Sequence, residues 1–176
     1  YIADTLNSIN HHAKLAVLLP VACAIGTSGE IARLKEEILK ENTLDAVFTL
    51  PNEIFYPGAS ASACCMVFKI GTKHSDVSNP DTYFGYYKED GFKKKKNLGR
   101  VEQLDVNTGK SKWLEIEKEW IELYRNRKAV DGLSATHKVN GDDEWLCEAY
   151  MKTDYTKLTA QDFQQTINDY LAYLIK

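Results

Sequence analysis

Lys14-Leu15-Ala16-Val17-Leu18-Leu19-Pro20, then Leu44-Asp45-Ala46-Val47-Phe48-Thr49-Leu50, then Ala61-Ser62-Ala63-Cys64-Cys65-Met66-Val67-Phe68-Lys69-Ile70 are the three runs whose reading decides the fold. The first run is apolar at successive positions, as in a parallel strand buried on both faces, and Pro20 stops it. Gly26 to Gly29 reads as a turn, and Thr27 followed three residues later by Glu30 is a capping-box pattern. Ile31, Leu34, Ile38 and Leu39 then lie on one helical stripe. The second run is again a strand, so residues 14–50 predict a strand, helix, strand unit with parallel strands and a right-handed crossover.

The third run contains the unbroken apolar segment Ala63-Cys64-Cys65-Met66-Val67-Phe68, which belongs in the middle of a sheet. The linker from Pro51 to Ser60 holds no helical pattern and is too short for a parallel return, so this strand is expected to run antiparallel to its neighbours. Cys64 and Cys65 point to opposite sides of it and read as core fillers.

Working outward, Ile2, Leu6 and Ile9 predict an amphipathic helix over residues 1–12. It closes on His11 and His12, a pair beside the negative end of the helix dipole rather than two metal ligands on one face. The opening on Tyr1, directly in helical pattern, is expected of a span cut from something longer. Downstream, Thr82 to Lys88 is a strand carrying Tyr83, Phe84, Tyr86 and Tyr87. Asn79-Pro80-Asp81-Thr82 before it is a turn. Ser111 caps a helix with Trp113, Ile116, Trp120, Leu123 and Tyr124 on one side. Residues 126–158 read as irregular. A last helix begins at Thr159 and aligns Phe163, Ile167, Tyr170, Leu171 and Leu174.

Composition bounds the function. A chain of 176 residues with 44% hydrophobic content fits one compact domain or part of a larger one. The net charge of -3 excludes a general polyanion binder, so contact with nucleic acid has to come from a local patch, and Lys93 to Lys96 supply one. No apolar run approaches the roughly 20 residues of a membrane-crossing helix. Cys23, Cys64, Cys65 and Cys147 have neither zinc-site spacing nor the density of a disulfide scaffold, which points to a reducing cytoplasm.

Three features in order carry a family resemblance: the strand ending in Leu19-Pro20 with a glycine-containing turn after it, the segment Leu44 to Pro51, and the loop Asn52-Glu53-Ile54-Phe55-Tyr56-Pro57-Gly58 before the strand ending near Lys69. Together they resemble the second half of the catalytic domain of N6-adenine DNA methylases, the modification subunits of type I restriction systems. The likeness covers residues 1–100 and, more loosely, the tail through Glu144-Trp145. It implies an α/β fold: the C-terminal half of a Rossmann-like methyltransferase sheet, with a parallel strand-helix-strand unit, an antiparallel inserted strand and, over residues 101–176, a mostly helical extension suited to subunit docking.

The resemblance also implies methyl transfer from S-adenosylmethionine to adenine in DNA by the intact protein, in the cytoplasm of a bacterium or archaeon. DNA, a specificity subunit and a restriction subunit are the implied partners. The Asn-Pro-Pro-aromatic loop and the glycine-rich donor cradle of the family are absent from this span. Accordingly no catalytic, cofactor-binding or metal-ligating residue is assigned within it, and S-adenosylmethionine is not expected to bind it. In the family an aromatic residue ahead of the last strand stacks on the flipped adenine. The matching position is Tyr56, or Phe55 if the loop carries one extra residue, with Pro57 beside them; the bland alternative has Phe55 plugging the core and Tyr56 shielding it. Lys93, Lys94, Lys95, Lys96 and Arg100 are candidates for the DNA backbone, against a plain solvated loop. A second functional class also fits: a non-catalytic interaction module that docks a partner through Trp113, Trp120, Trp145 and the Phe163 to Leu174 stripe.

Overall fold

The computed structural model describes residues 13–59 and 61–174, so the amphipathic pattern of residues 1–12, with His11 and His12, lies outside the described residues. Among the described residues seven strands and four α-helices follow in the order β1 (Lys14–Pro20), α1 (Ala22–Ile25), α2 (Gly29–Glu41), β2 (Thr43–Thr49), β3 (Ala63–Lys69), β4 (Thr82–Tyr86), β5 (Phe92–Lys95), β6 (Gly99–Glu102), α3 (Lys112–Asn126), β7 (Ser134–His137) and α4 (Ala160–Leu174). Five strands form one sheet in the order β1-β3-β2-β4-β7, and β5 with β6 makes a separate hairpin.

β3 pairs antiparallel with both β1 and β2. The two strands flanking it therefore run in the same direction, as the strand, helix, strand reading requires, but they are not neighbours. β2 continues parallel to β4, and β4 antiparallel to β7. The predicted reversed strand is thus inserted between two parallel ones.

Two apolar layers close the sheet. Leu44, Val47, Met66, Phe68 and Phe84 pack on one face against Leu39 of α2 and the segment Trp145-Leu146-Cys147. Ala46, Tyr83 and Tyr87 pack on the other against Leu123 of α3. The α3 stripe is the predicted one, and Ser111 caps the helix by accepting a hydrogen bond from the Trp113 amide. Tyr87 lies flat on Trp120 with ring centroids 4.2 Å apart, and Phe48 stacks on its other side at 5.2 Å. Gly85 makes this possible: a Cβ there would stand 2.7 Å from the Tyr87 ring.

Asp45 ties the sheet electrostatically to the C-terminal end of α3. Its buried carboxylate accepts from the Tyr124 hydroxyl at 2.6 Å, pairs with Lys69 at 3.0 Å and is bonded by Arg127. Burial alone would push this carboxyl up, yet the Tyr124 hydroxyl, Lys69 and Arg127 together hold it below the ordinary carboxylate range.

Several expectations are corrected. The turn before α2 forms no capping box: Ser28, not Thr27, stands at the N-cap, without a side-chain bond. Residues 126–158 are not all irregular, because Ser134–His137 pairs with β4 as β7, gaining from the ladder what its mixed composition lacks. Lys93 to Lys95 belong to a strand rather than a loop. Trp145 is 2% exposed and serves the core rather than an outer docking face, whereas Trp113 and Trp120 are half-buried in the aromatic stack. β1, finally, is not buried on both faces. Leu15, Val17 and Leu19 pack half-buried against the core while Lys14, Ala16, Leu18 and Pro20 on the other face are exposed, and no described strand pairs its outer edge.

Candidate functional site

Parallel strands deliver their C-terminal ends to the same side of a sheet, and in open α/β sheets ligands bind in the crevice there. β2 and β4 end together at Thr49 and Tyr86. The loop Pro51 to Ala59 leaves the first and the β5–β6 hairpin follows the second, so the sheet brings the two sequence-predicted candidate groups to one end.

Within the loop, the Ile54 amide bonds the Pro51 carbonyl at 3.0 Å, the Tyr56 amide that of Glu53 at 2.9 Å and the Ala59 amide that of Phe55 at 3.1 Å. Phe55 is 40% exposed and lies in neither core layer, Tyr56 is half-buried, and Pro57 is exposed. At the root of the loop is a cluster that reading along the chain does not reveal. The Thr49 hydroxyl donates to Glu148 at 2.8 Å, and Lys88 bridges Glu148 at 3.7 Å and the Asn52 side-chain oxygen at 3.3 Å. Glu148 arrives from 99 positions away in sequence, so no local signal could have placed it.

The hairpin sorts its cations. Lys94 pairs with Arg100 and Lys93 with Val101, and side chains alternate along a strand. Phe92, Lys94 and Arg100 therefore share one face, with Lys93 and Lys95 on the other. Arg100 is committed: one guanidinium nitrogen meets both oxygens of buried Asp90, at 2.7 and 2.8 Å, and its charge lies 5.4 Å from the Phe92 ring centroid. Phe92 in turn stands 6.4 Å from Trp113, which ties the hairpin to α3. Lys94 is committed differently, its ammonium 4.3 Å from the centroid of the Tyr56 ring. Lys93, Lys95 and Lys96 are exposed and make no ion pair among the described residues.

The turn after β1 does not fit a donor cradle. A Cβ at Gly26 would stand 2.6 Å from Ile31, so the space above that glycine is filled by α2. The carbonyls of Ala24 and Gly26, both 2.7 Å from the Lys35 ammonium, are spent internally, and the same ammonium bonds Asp143 at 2.8 Å and sits over Trp145. Burial lowers the Lys35 pKa to about 8. The S-adenosylmethionine implied by resemblance finds no built site among these residues.

β1 borders two open apolar cavities. On one side of the sheet an apolar cavity of about 440 Å³ opens among Leu19, Cys23, Ile31, Leu34 and Met66. On the other, one of about 390 Å³ opens among Leu18, Phe48, Cys65, Trp113 and Trp120. Leu18, which lines the second, is 56% exposed. Helix α4 is equally bare: Phe163, Ile167, Tyr170, Leu171 and Leu174 are all at least 50% exposed. Among the described residues no helix is long and apolar enough to cross a membrane.

Comparison with known proteins agrees with this geometry. The profile of the family described as N-6 DNA methylase matches residues 1–172. A type II restriction enzyme and methyltransferase of Heyndrickxia coagulans is 27% identical over 173 residues, covering 98% of this chain but 26% of that protein. The chain thus spans about a quarter of that relative. The methyltransferase subunit of a type I restriction-modification system from Streptococcus thermophilus superposes with a TM-score of 0.57 at 22% identity, over 79% of this chain and 26% of that one. A chain from a study of complex assembly and conformational transition in the type I system gives 0.52 at 13% identity, over 94% of this chain and 34% of the other. Both likenesses establish the fold.

Proposed function

The chain belongs to the N-6 DNA methylase family, and from that premise we propose that it is the C-terminal half of the catalytic domain of an S-adenosylmethionine-dependent adenine DNA methyltransferase, the modification subunit of a restriction-modification system. The observation that carries the reading is the edge of β1, which no strand pairs among the described residues. An apolar strand with an unpaired edge and an open apolar cavity on each face is a sheet awaiting another strand and its covering helices. In this proposal those elements, with the donor cradle and the group that polarises the adenine amine, come from sequence preceding residue 1. Residues 1–100 supply four strands of the sheet, and the extension 101–176, not wholly helical, adds β7 at its far edge and lays α3 across one face.

The contribution of this span is substrate handling. An enzyme acting on a base must extrude it and hold it against an aromatic or apolar surface. The loop with Phe55, Tyr56 and Pro57 supplies that surface, Tyr56 being the platform, and Lys93, Lys95 and Lys96 meet phosphates without reading sequence. The bare stripe of α4 docks the specificity subunit that chooses the DNA site, through which a restriction subunit also joins the assembly. A bacterial or archaeal cytoplasm is the proposed location. The competing reading, a non-catalytic docking module, draws on the same α4 stripe.

The deciding experiment is complementation. This 176-residue chain alone is expected to neither bind S-adenosylmethionine in calorimetry nor methylate DNA, while its co-expression with the preceding half restores transfer of a labelled methyl group to adenine. A specific complex between the donor and the chain alone would relocate the cofactor site; a full-length protein that never methylates would leave the docking module as the function.

A further inference from the structure

Among the lysines of the hairpin, Lys94 stands apart. Lys93 and Lys95 face away from the loop, whereas the Lys94 ammonium lies 4.3 Å above the Tyr56 ring. The placement is built rather than incidental. Asp90 holds Arg100, the register partner of Lys94, through both carboxylate oxygens and also accepts from the Phe92 amide at 3.1 Å, which fixes the hairpin at its base. At its tip Gly99, with φ of +81°, brings the backbone so near the loop that an added Cβ would stand 3.9 Å from Pro57 Cδ. The hairpin therefore leans on the loop that carries Tyr56, and the ring face is taken.

We propose that Lys94 is a positioning residue that covers the stacking face of Tyr56 until a nucleobase arrives, and then passes its ammonium to the phosphate of the extruded nucleotide. This rests on the reading of Tyr56 as the base platform. The exchange runs the right way. A cation over an exposed ring favours that state by about two- to fivefold, whereas stacking a base on an aromatic side chain is worth about five- to 150-fold. The displaced ammonium is not left idle, because it gains a phosphate where it had only a ring quadrupole. Lys93 and Lys95, with no ring to leave, meet any duplex alike. Lys94 alone couples the backbone contact to base extrusion.

The test is nuclear magnetic resonance on the intact methyltransferase complex with lysines carrying carbon-13 dimethyl labels, which retain their charge. Lys94→Arg identifies the Lys94 signal by its loss. In the free protein that signal is expected upfield of those of Lys93 and Lys95, shielded by the ring, and Tyr56→Leu moves it back among them. A saturating duplex that the enzyme methylates should also remove the shielding, while an unrelated duplex leaves it in place. A signal that is never shielded, that stays shielded on the methylated duplex, or that moves equally with both duplexes overturns the proposal. The underlying reading fails separately: a folded Tyr56→Leu enzyme with full methylation removes Tyr56 from the base pocket. Lost methylation in Tyr56→Leu, with a Lys94 signal that does not respond to the target duplex, leaves the platform standing and removes only the role of Lys94.

Discussion

β1 and β2 have nearly the same apolar character, Leu15-Ala16-Val17-Leu18-Leu19 against Leu44-Asp45-Ala46-Val47-Phe48, and opposite fates. β2 lies between β3 and β4 with both faces covered and is buried at every position except Phe48, which is half-buried. β1 lies at the sheet edge with alternate residues in the open. Hydrophobicity along a strand therefore records what surface must leave water in the working protein, not what a given span of it covers. The difference also separates mutations that damage this span from mutations that show only when the rest of the sheet is present.

The largest effect is expected inside the closed region. Asp45→Asn keeps the shape but leaves Lys69 and Arg127 beside a neutral amide, and breaking a buried pair in this way costs about 3 to 5 kcal/mol. Urea unfolding at pH 7 measures it. The pH dependence follows from the same group. Its carboxyl titrates below the ordinary value of 3.8, so its stabilisation is fully present above about pH 4 and is lost as pH falls through the lower, folded-state value. The acid limb of the stability curve should flatten in Asp45→Asn; an unchanged limb would show that other carboxylates drive acid unfolding.

A pair of truncations tests the comparison itself. Leu44 is fully buried, and Leu44→Ala is expected to cost about 2 to 5 kcal/mol in the isolated chain. Leu18→Ala, on a residue 56% exposed, should change it by less than about 0.5 kcal/mol. In the complemented, full-length protein the Leu18 change should rise into the range of Leu44. If it stays near zero there, β1 is a true sheet edge and the proposed completion of the sheet is wrong.

The legibility of this fold in its sequence follows the same division between local and non-local causes. The reversed β3 was legible from the short Pro51–Ser60 linker and its apolar run, and the inward stripe of α3 from spacing alone. β7 was not, because Ser134-Ala135-Thr136-His137 is short, mixed and held by its pairing with β4. The lysine run read as solvated loop because charge masks a strand whose stability comes from Asp90, Arg100 and Phe92. Trp145 read as an exposed anchor because nothing in its own neighbourhood announces Lys35, which reaches the Trp145 ring from α2 and bonds the backbone of Asp143. Of the candidate site, the loop and the cations were visible; their contact, and the Thr49–Glu148–Lys88 cluster beneath them, depend on separations no local pattern spans.

Smaller in energy, and confined to function, is the loop. Tyr56→Ala in the intact enzyme is expected to lower methylation by about five- to 150-fold, the worth of one base stacked on an aromatic ring, with a melting temperature close to that of the parent. Tyr56→Phe should retain most of the activity, since stacking uses the ring rather than the hydroxyl. Phe55→Ala separates the two registers: loss of turnover there, with full activity in Tyr56→Ala, moves the platform by one position, and full activity in both takes the loop out of the base pocket.

The smallest effect is expected from the outer face of the hairpin, and it is the one most easily mistaken for nothing. Lys93 and Lys95 are exposed and touch no ring or carboxylate among the described residues, so replacing both with Ala should leave folding and the methylation rate at saturating DNA unchanged. Each phosphate contact that is lost lowers the dependence of log affinity on log salt by about 0.9, so the double change should reduce the slope by about 1.8 and weaken binding alike on methylated-site and unrelated duplexes. Affinities measured at one high salt concentration would hide this, because the curves converge there; a titration from low salt upward exposes it. A slope that does not move would assign those lysines to solvent alone and confine DNA contact within this span to the inner face, where Lys94 meets Tyr56.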